Sequence, residues 1–160
     1  MSDQHHEVTV RRAQLPDLEG LVASSGALFA EDAGTRDPSI NINWPLEAGP
    51  ERFAAGIDDP SRLTLVAESG GQIVAHLTGA VAEATARQPV KVATLMSLYV
   101  RPAHRSGGLG VRLVEHFSAW AKEAGAELAE VTAYASNSQA IRFYERSGFT
   151  SQAVTLRTNL

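Results

Sequence analysis

The chain has 160 residues, of which 44% are hydrophobic and 20% charged, a composition that suits one globular domain with one core. It contains no cysteine, which excludes disulfides, thiolate metal sites and a cysteine nucleophile. The net charge of −4 argues against a general nucleic-acid binder, and no stretch has the length and apolarity of a membrane span.

The first part of the chain is expected to hold a short leader and the start of the domain. Residues 1–7 are polar, so we expect a flexible leader, and residues 8–160 form the predicted single domain. The alternating stretch 8–11 predicts a first strand. Pro16 and the acidic residues after it predict the beginning of a helix, because proline and negative charge favour a first helical turn.

A long segment and a hairpin follow. Residues 31–48 are rich in proline and asparagine and are interpreted as a long, irregular functional loop. Pro50 predicts the beginning of a shorter helix. Residues 62–68 and 72–81 predict two strands joined by a Ser-Gly-Gly turn, which is a hairpin signal.

The stretch 95–124 predicts a strand, a glycine loop and a helix. The apolar run 95–100 precedes Pro102, which lacks the N–H group that a strand needs. After the loop Arg105–Gly110, apolar residues recur every three or four positions up to Gly125, which predicts an amphipathic helix with a glycine stop.

The glycine loop offers chemistry through its backbone. The N–H groups of a first helical turn have no helical partner and carry a partial positive charge, and glycine lets an anion approach them closely. The loop therefore predicts a phosphate-binding nest, with Arg105 as an added cation. A plain tight turn is the alternative. Leu113 stands where a Rossmann loop needs glycine, and Val111 and Arg112 stand where a P-loop needs Lys and Ser or Thr.

The last third of the chain alternates again. Residues 128–134 predict a strand, Asn137 is a good N-cap for a short helix, and Gly148 provides its stop. Residues 152–158 predict a final strand. This alternation of strands and helices predicts a single α/β domain built on a mixed sheet.

Two motifs in this region resemble those of the GCN5-related N-acetyltransferases. The first is Arg105-x-x-Gly108-x-Gly110, which follows a strand and precedes an amphipathic helix. The second, from Asn137 to Phe149, is similar to the family pattern Asn-x-x-Ala-x-x-Phe-Tyr-x-x-x-Gly-Phe. Both motifs stand in the family's order and at its spacing.

The resemblance implies a fold and a cosubstrate. The fold is a mostly antiparallel mixed sheet flanked by helices, in which the parallel strands ending at Val100 and Tyr134 splay apart. Acetyl-coenzyme A is the implied cosubstrate, its pantetheine arm lying in the gap and its pyrophosphate on the loop; no metal is expected. The implied cofactor-binding residues are Leu98, Tyr99, Val100, Arg105, Ser106, Gly107, Gly108, Leu109, Gly110 and Asn137, of which Asn137 is first of all an N-cap.

The resemblance also implies catalytic roles. Tyr144 matches the family tyrosine that acts as general acid. No carboxylate stands on the strand before the loop, where some members carry a glutamate. The base is therefore His76, Glu83, a group in the long loop or an ordered water. The candidates for binding a cationic amine acceptor lie in that loop: Glu31, Asp32, Asp37 and Trp44.

The function implied is an acetyl-coenzyme A-dependent N-acetyltransferase acting on a primary amine of a small molecule. A protein N-terminal or lysine acetyltransferase and a non-catalytic acyl-coenzyme A sensor are the alternatives. No nucleic-acid or membrane partner is expected, a homodimer is left open, and the absence of cysteine fits a cytoplasmic location.

Overall fold

A computed structural model describes residues 6–160; residues 1–5, most of the predicted leader, lie outside the described residues. Five strands form one sheet in the order β1-β2-β3-β4-β5, antiparallel from β1 to β4 and parallel between β4 and β5. The strands are β1 Thr9–Arg12, β2 Arg62–Ser69, β3 Gln72–Ala82, β4 Val92–Val100 and β5 Leu128–Val131. This confirms the predicted α/β class with a mixed, mostly antiparallel sheet.

Helices cover both faces of the sheet. They are α1 Leu18–Leu28, α2 Gly34–Arg36, α3 Trp44–Glu47, α4 Gly49–Ile57, α5 Leu109–Glu123 and α6 Ser138–Arg146. Short 3-10 turns lie at Leu15–Asp17 and Pro102–His104. Within residues 6–160, no helix has the length and apolarity needed to cross a bilayer.

The larger core lies between the sheet and α5. The apolar side of α5, including Leu113 and Phe117, is fully buried against the strands, as the helical spacing predicted. Phe143 and Tyr144 of α6 pack against the edge of the same core. A smaller core on the other face joins α1 and α4 to β2 through residues such as Leu21 and Val66.

The predicted hairpin of β2 and β3 is confirmed. Ser69 pairs with Gln72 across the turn, and both turn residues, Gly70 and Gly71, have positive φ values of 57° and 79°. Two successive residues with positive φ match the right-handed twist of the strands, which explains why glycines stand at both positions.

The segment 31–48 is more ordered than predicted. A single π-helical turn, Phe29–Ala33, continues α1, and the short helices α2 and α3 follow it. The prediction of a long irregular loop is therefore wrong for most of the segment. Pi-helical turns inside helices are often found at functional sites.

The predicted final strand is also wrong. Residues 151–160 form no strand, and Val154 and Leu156 are 80% and 90% exposed. Arg157 instead forms an ion pair with Asp37 at 2.8 Å and donates to Ser39. An alternating pattern indicates a strand only where a neighbouring strand offers its backbone groups.

A β-bulge divides β4. Thr78 pairs with Ser97, but the next residue of β3 pairs with Leu95, so Met96 is an extra residue in β4. The pairing of β4 with β5 ends at the same level, with Leu95 opposite Val131. Beyond this level β4 continues to Val100 without a β5 partner, as expected from the splayed strand pair.

A close contact between β3 and α5 generates a stability prediction. A Cβ atom on Gly79 would lie 2.9 Å from Phe117 Cε2, whereas a Cβ on Gly26 of α1 would meet nothing within 4 Å. Gly79→Ala is expected to lower the free energy of unfolding by about 1–3 kcal/mol through overpacking. Gly26→Ala should raise it by about 0.5–1 kcal/mol, because alanine is the better helix former.

Chemical denaturation of both variants checks this pair. A Gly79→Ala protein as stable as the unsubstituted chain would contradict the packing of α5 on β3.

Candidate active site

The loop between β4 and α5 forms a concave backbone surface. Ser106 and Gly108 have positive φ values of 68° and 80°, and Gly108 is the N-cap of α5. Among the described residues, the backbone N–H groups of residues 106–108 find no protein acceptor. The N–H groups of residues 109–111 belong to the first turn of α5 and have no helical partner. These N–H groups together form an anion nest.

Arg105 is held across the open end of β4. Its Nε donates to the carbonyl oxygen of Val100 at 2.8 Å, and its Nη2 lies 2.7 Å from Glu31 Oε1. The guanidinium carbon lies 5.5 Å from the centre of the Tyr99 ring, and the Tyr99 hydroxyl donates to Glu31 at 3.0 Å. Burial, together with this hydrogen bond to Glu31, raises the pKa of Tyr99.

The residues present fit a diphosphate ligand in the nest. The free N–H groups and Arg105 supply hydrogen bonds and positive charge on one side. A buried imidazole nitrogen, Nδ1 of His104, has no protein partner within residues 6–160 and lies in the turn that precedes the loop. Because this nitrogen is itself buried, the N–H groups and Arg105 are the part of the site open to the ligand.

The second motif lies beside the nest. A Cβ on Gly110 would come within 3.2 Å of the Phe143 ring, so glycine allows α6 to approach the start of α5 this closely. Asn137 caps α6 by accepting a hydrogen bond from the Ala140 N–H group at 3.1 Å, which confirms the predicted N-cap. Its side-chain amide also donates to Asp32 at 3.1 Å.

Tyr144 lies on α6 between two other aromatic rings. Phe143 and Phe149 contact it edge-on, with ring centres 5.1 and 5.7 Å away. Burial, with a smaller effect from the charge of Asp32, raises the pKa of Tyr144 to about 12. Its hydroxyl therefore carries its proton throughout the neutral range.

A cavity of about 210 Å³ opens on the α1 and α4 face of the sheet. Its floor is formed by β2, β3 and β4 at the level of the bulge, and its walls by α1, the π-helical turn, α3 and α4. The residues that line it are Ser25, Phe29, Trp44, Arg52, Phe53, Gly56, Arg62, Leu63, Thr64, Thr78, Gly79, Met96 and Ser97.

His76 lies beside this cavity on the same face of the sheet, packed against Ser24 of α1 and Phe53 of α4. It is completely buried, with its Nδ1 2.5 Å from Ser24 Oγ and its Nε2 3.2 Å from Ser97 Oγ. Ser97 is also 2.5 Å from the Thr78 hydroxyl. Burial lowers the pKa of His76 to about 4, so the imidazole is neutral at physiological pH. The hydroxyl of Ser97 connects it to the cavity.

Sequence reasoning grouped the acidic residues of segment 31–48 with Trp44, but the structure separates them. Trp44 stacks on Phe29 and lines the cavity, whereas Glu31 lies against Arg105. Asp37 is 4% exposed, and hydrogen bonds from Ser39 and Arg157 lower its pKa to about 2. The acids therefore join structural elements to one another.

The remaining base candidate, Glu83, forms an ion pair with Lys91 at 3.0 Å and is 82% exposed, outside the cavity. Four cavity residues, Arg52, Arg62, Thr78 and Ser97, were not singled out from the sequence. They lie on three strands and a helix, and only the fold brings them together. Within residues 6–160, no group of three or more potential ligands could hold a metal ion.

Known proteins share this architecture. The sequence model of the Acetyltransferase (GNAT) family matches residues 29–149, which include both motifs. A transcriptional regulator from Bacillus halodurans C-125 is 29% identical, with 96% of this chain and 100% of that chain covered and a TM-score of 0.77.

Two further solved structures share the fold at lower identity. A glucosamine-6-phosphate N-acetyltransferase from Arabidopsis thaliana is 18% identical, covering 96% of this chain and 98% of that chain with a TM-score of 0.69. An aminoglycoside acetyltransferase from an uncultured soil metagenomic sample is 22% identical, covering 96% of each chain with a TM-score of 0.72. No curated protein matches the chain.

The buried imidazole predicts a pH dependence of stability. The unfolded histidine takes up a proton near pH 6.5, whereas folded His76, with a pKa of about 4, resists protonation. The free energy of unfolding should therefore fall as the pH drops from 6.5 to 4, by roughly 3 kcal/mol from this residue. Denaturation of the unsubstituted chain and of His76→Gln at pH 7.5 and pH 4 measures the difference.

His116→Gln, at an exposed position of α5, is the matched control and should keep the pH dependence of the unsubstituted chain. Equal pH dependence for the unsubstituted chain and His76→Gln would show that His76 is not shielded from protons.

The anion nest predicts a pair of effects at Gly108. Any side chain there is strained at a φ of 80°, but a Cβ would meet nothing within 4 Å. Gly108→Ala should therefore cost about 1–2 kcal/mol of stability and still bind coenzyme A. Gly108→Glu should cost about as much stability and abolish binding, because its carboxylate competes for the N–H groups.

Thermal unfolding with and without coenzyme A separates the two variants. At a hundred times the dissociation constant, bound ligand should stabilise the protein by about 2.7 kcal/mol. Equal stabilisation of the glutamate variant would place the ligand outside the nest.

Proposed function

We propose that this chain, which belongs to the acetyltransferase (GNAT) family, transfers an acetyl group from acetyl-coenzyme A to a primary amine of a small molecule. The observation that carries the proposal is the nest of free N–H groups at the end of a strand whose parallel neighbour has stopped pairing. The free N–H groups of the nest can bind a diphosphate, and the unpaired edge of β4 can hydrogen-bond to a peptide-like arm.

In this proposal, the main chain holds the cosubstrate. Ser106, Gly107, Gly108, Leu109 and Gly110 bind the pyrophosphate through their N–H groups. Leu98, Tyr99 and Val100 offer the unpaired side of β4 to the arm. The carbonyl of Val100 already accepts a hydrogen bond from Arg105, so that side chain must give way if the arm uses this oxygen.

The acceptor is assigned to the cavity on the other side of the bulge. Met96 and Ser97 line the cavity, and they directly follow the point at which β4 and β5 stop pairing. An amine in the cavity therefore lies next to the gap that is assigned to the pantetheine arm. At 210 Å³ the cavity is below the range of about 300–1,000 Å³ typical of drug-sized ligands, which favours a small acceptor over a peptide. Acetyl-coenzyme A supplies an activated thioester.

The reaction forms a bond between the amine nitrogen and the acetyl carbon while the carbon–sulfur bond breaks. One proton leaves the nitrogen for solvent water, and coenzyme A departs as a thiolate that takes a proton from solvent after release. Tyr144 is assigned to the sulfur. Its pKa of about 12 lies above that of a thiol, about 8.5, so it stabilises the thiolate by donating a hydrogen bond.

The polar chain at the cavity floor is assigned to orienting the amine, and water is the group that takes its proton. Complete burial keeps His76 from touching the acceptor, and its connection to the cavity runs through the hydroxyl of Ser97. Its low pKa makes it a weak base, so Ser97 accepts a hydrogen bond from the amine and His76 orients that hydroxyl.

Release of free thiol from acetyl-coenzyme A tests the proposed function directly. The purified chain is assayed with small primary amines, lysine-containing peptides and peptides with a free N-terminus. The proposal expects turnover with small amines to exceed turnover with peptides. Saturable coenzyme A binding without thiol release from any amine would support the sensor instead.

Tyr144→Phe provides a sharper test of the chemistry. The variant keeps the ring that packs against Phe143 and Phe149, so the fold and the affinity for coenzyme A should change little. Loss of the hydroxyl should lower kcat by about 100-fold or more, as is typical when a hydrogen-bond donor to a developing negative charge is removed. An unchanged kcat would remove Tyr144 from the reaction.

A further inference from the structure

We infer that the cavity selects an amine whose far end carries an anion, either a carboxylate or a phosphate. This inference rests on the proposed function, because it names the class of acceptor for the same site. Arg52 and Arg62 line the cavity, and none of its described lining residues is acidic. The positive charge of this wall is the observation that carries the inference.

Both guanidinium groups keep nitrogen atoms without a partner in the described part of the chain. Arg52, exposed on α4, has no ion-pair or hydrogen-bond partner there. Arg62 lies 3.8 Å from Asp59, a long distance for an ion pair, and the same carboxylate accepts two hydrogen bonds from Ser61. The guanidinium of Arg52 and the two terminal nitrogens of Arg62 are therefore left to bind a ligand.

The two arginines are close enough to act on one ligand group. Arg62 extends over Gly56, where a Cβ would lie 3.6 Å from its Nη1. Arg52 stands one helical turn before Gly56 on the same helix and therefore on the same face. Two like charges at one rim repel each other, and an anion between them would remove that repulsion and accept charge-assisted hydrogen bonds.

The opposite wall accommodates an apolar body. Phe29 and Trp44 stack with their ring centres 5.6 Å apart, and Met96, 55% exposed, lies at the bulge. Flat aromatic walls of this kind suit a ring or a short hydrocarbon chain. The acceptor thus meets an apolar middle and a cationic end.

The sheet sets the distance between the two ends. Ser97, assigned to the amine, lies on β4, and Arg62 begins β2. Ser97 pairs with Thr78 of β3 and Arg62 with Ala80, so two strand spacings of about 4.8 Å and an offset of two residues separate these backbone positions by about 12 Å. The anion should therefore stand across a ring or several carbons from the amine, and not on the carbon that carries it.

A cationic acceptor has no comparable partner in the cavity. Glu31, Asp32 and Asp37 form ion pairs with Arg105, Arg36 and Arg157, and none of the three acids lines the cavity. A second amine at the far end of the acceptor would instead meet two arginines.

Matched amines test the inference. Benzylamine, 4-(aminomethyl)benzoate and 4-(aminomethyl)benzylamine differ only in a neutral, anionic or cationic far end, and tyramine with O-phosphotyramine repeats the comparison for phosphate. We expect kcat/KM to be about 10- to 100-fold higher for the anionic member of each pair, the range expected for hydrogen bonds to a charged group. The dication should be the poorest substrate.

Variants then assign the preference to the arginines. Arg52→Gln and Arg62→Gln should each reduce the anionic-to-neutral ratio about tenfold, because kcat/KM falls further for the anionic amine than for benzylamine. The lysine variants should restore part of the ratio. Arg12→Gln, an exposed site on β1, is the control for loss of one positive charge and should leave the ratio unchanged.

The outcomes separate this inference from the proposed function. Equal turnover of neutral and anionic amines, or a ratio that ignores both arginine variants, would overturn the inference and leave the acetyltransferase proposal standing. If no amine releases thiol, the proposed function fails for this panel. Tryptophan fluorescence, with Trp44→Phe used to subtract the signal of Trp120, then decides the inference, which expects 4-(aminomethyl)benzoate to bind more tightly than benzylamine and fails if it does not.

Discussion

The loss of pairing between β4 and β5 above Leu95 and Val131 is the constraint on which the site depends. The extra residue Met96 follows directly after Leu95, the last residue of β4 that pairs with β5. Beyond this bulge, the edge of β4 that faced β5 has unpaired backbone groups. At the same level, Ser97 lies on the floor of the cavity on the α1 and α4 face of the sheet. The proposed cosubstrate gap and acceptor site meet at this point because they share a strand.

Charges are distributed in keeping with this arrangement. Two acids of the π-helical turn connect it to the surrounding elements: Glu31 to β4 and the loop, and Asp32 to the N-cap of α6. Because Glu31 and Asp32 bind these neighbours, neither carboxylate faces the cavity. The charged residues that line the cavity are Arg52 and Arg62. A protein with an overall negative charge can in this way present positive sites to two anionic ligand groups.

Much of this architecture could be predicted from local sequence patterns. The spacing of Leu113 and Phe117 predicted α5, and Asn137 predicted the beginning of α6, since these signals act over one or two helical turns. The strand expected around Val154 and Leu156 failed because strand formation depends on a distant partner. Likewise, the burial of His76 against Ser24 joins residues 52 positions apart, a distance over which no local pattern is informative.

Backbone amide NMR during a titration with coenzyme A tests the central claim most directly, because it observes each main-chain nitrogen of the loop separately. The account predicts saturable shifts that are largest for residues 106–110 and for residues 98–100 of β4, with smaller changes around Tyr144. Largest shifts on another surface, or no saturation at millimolar concentration, would contradict it.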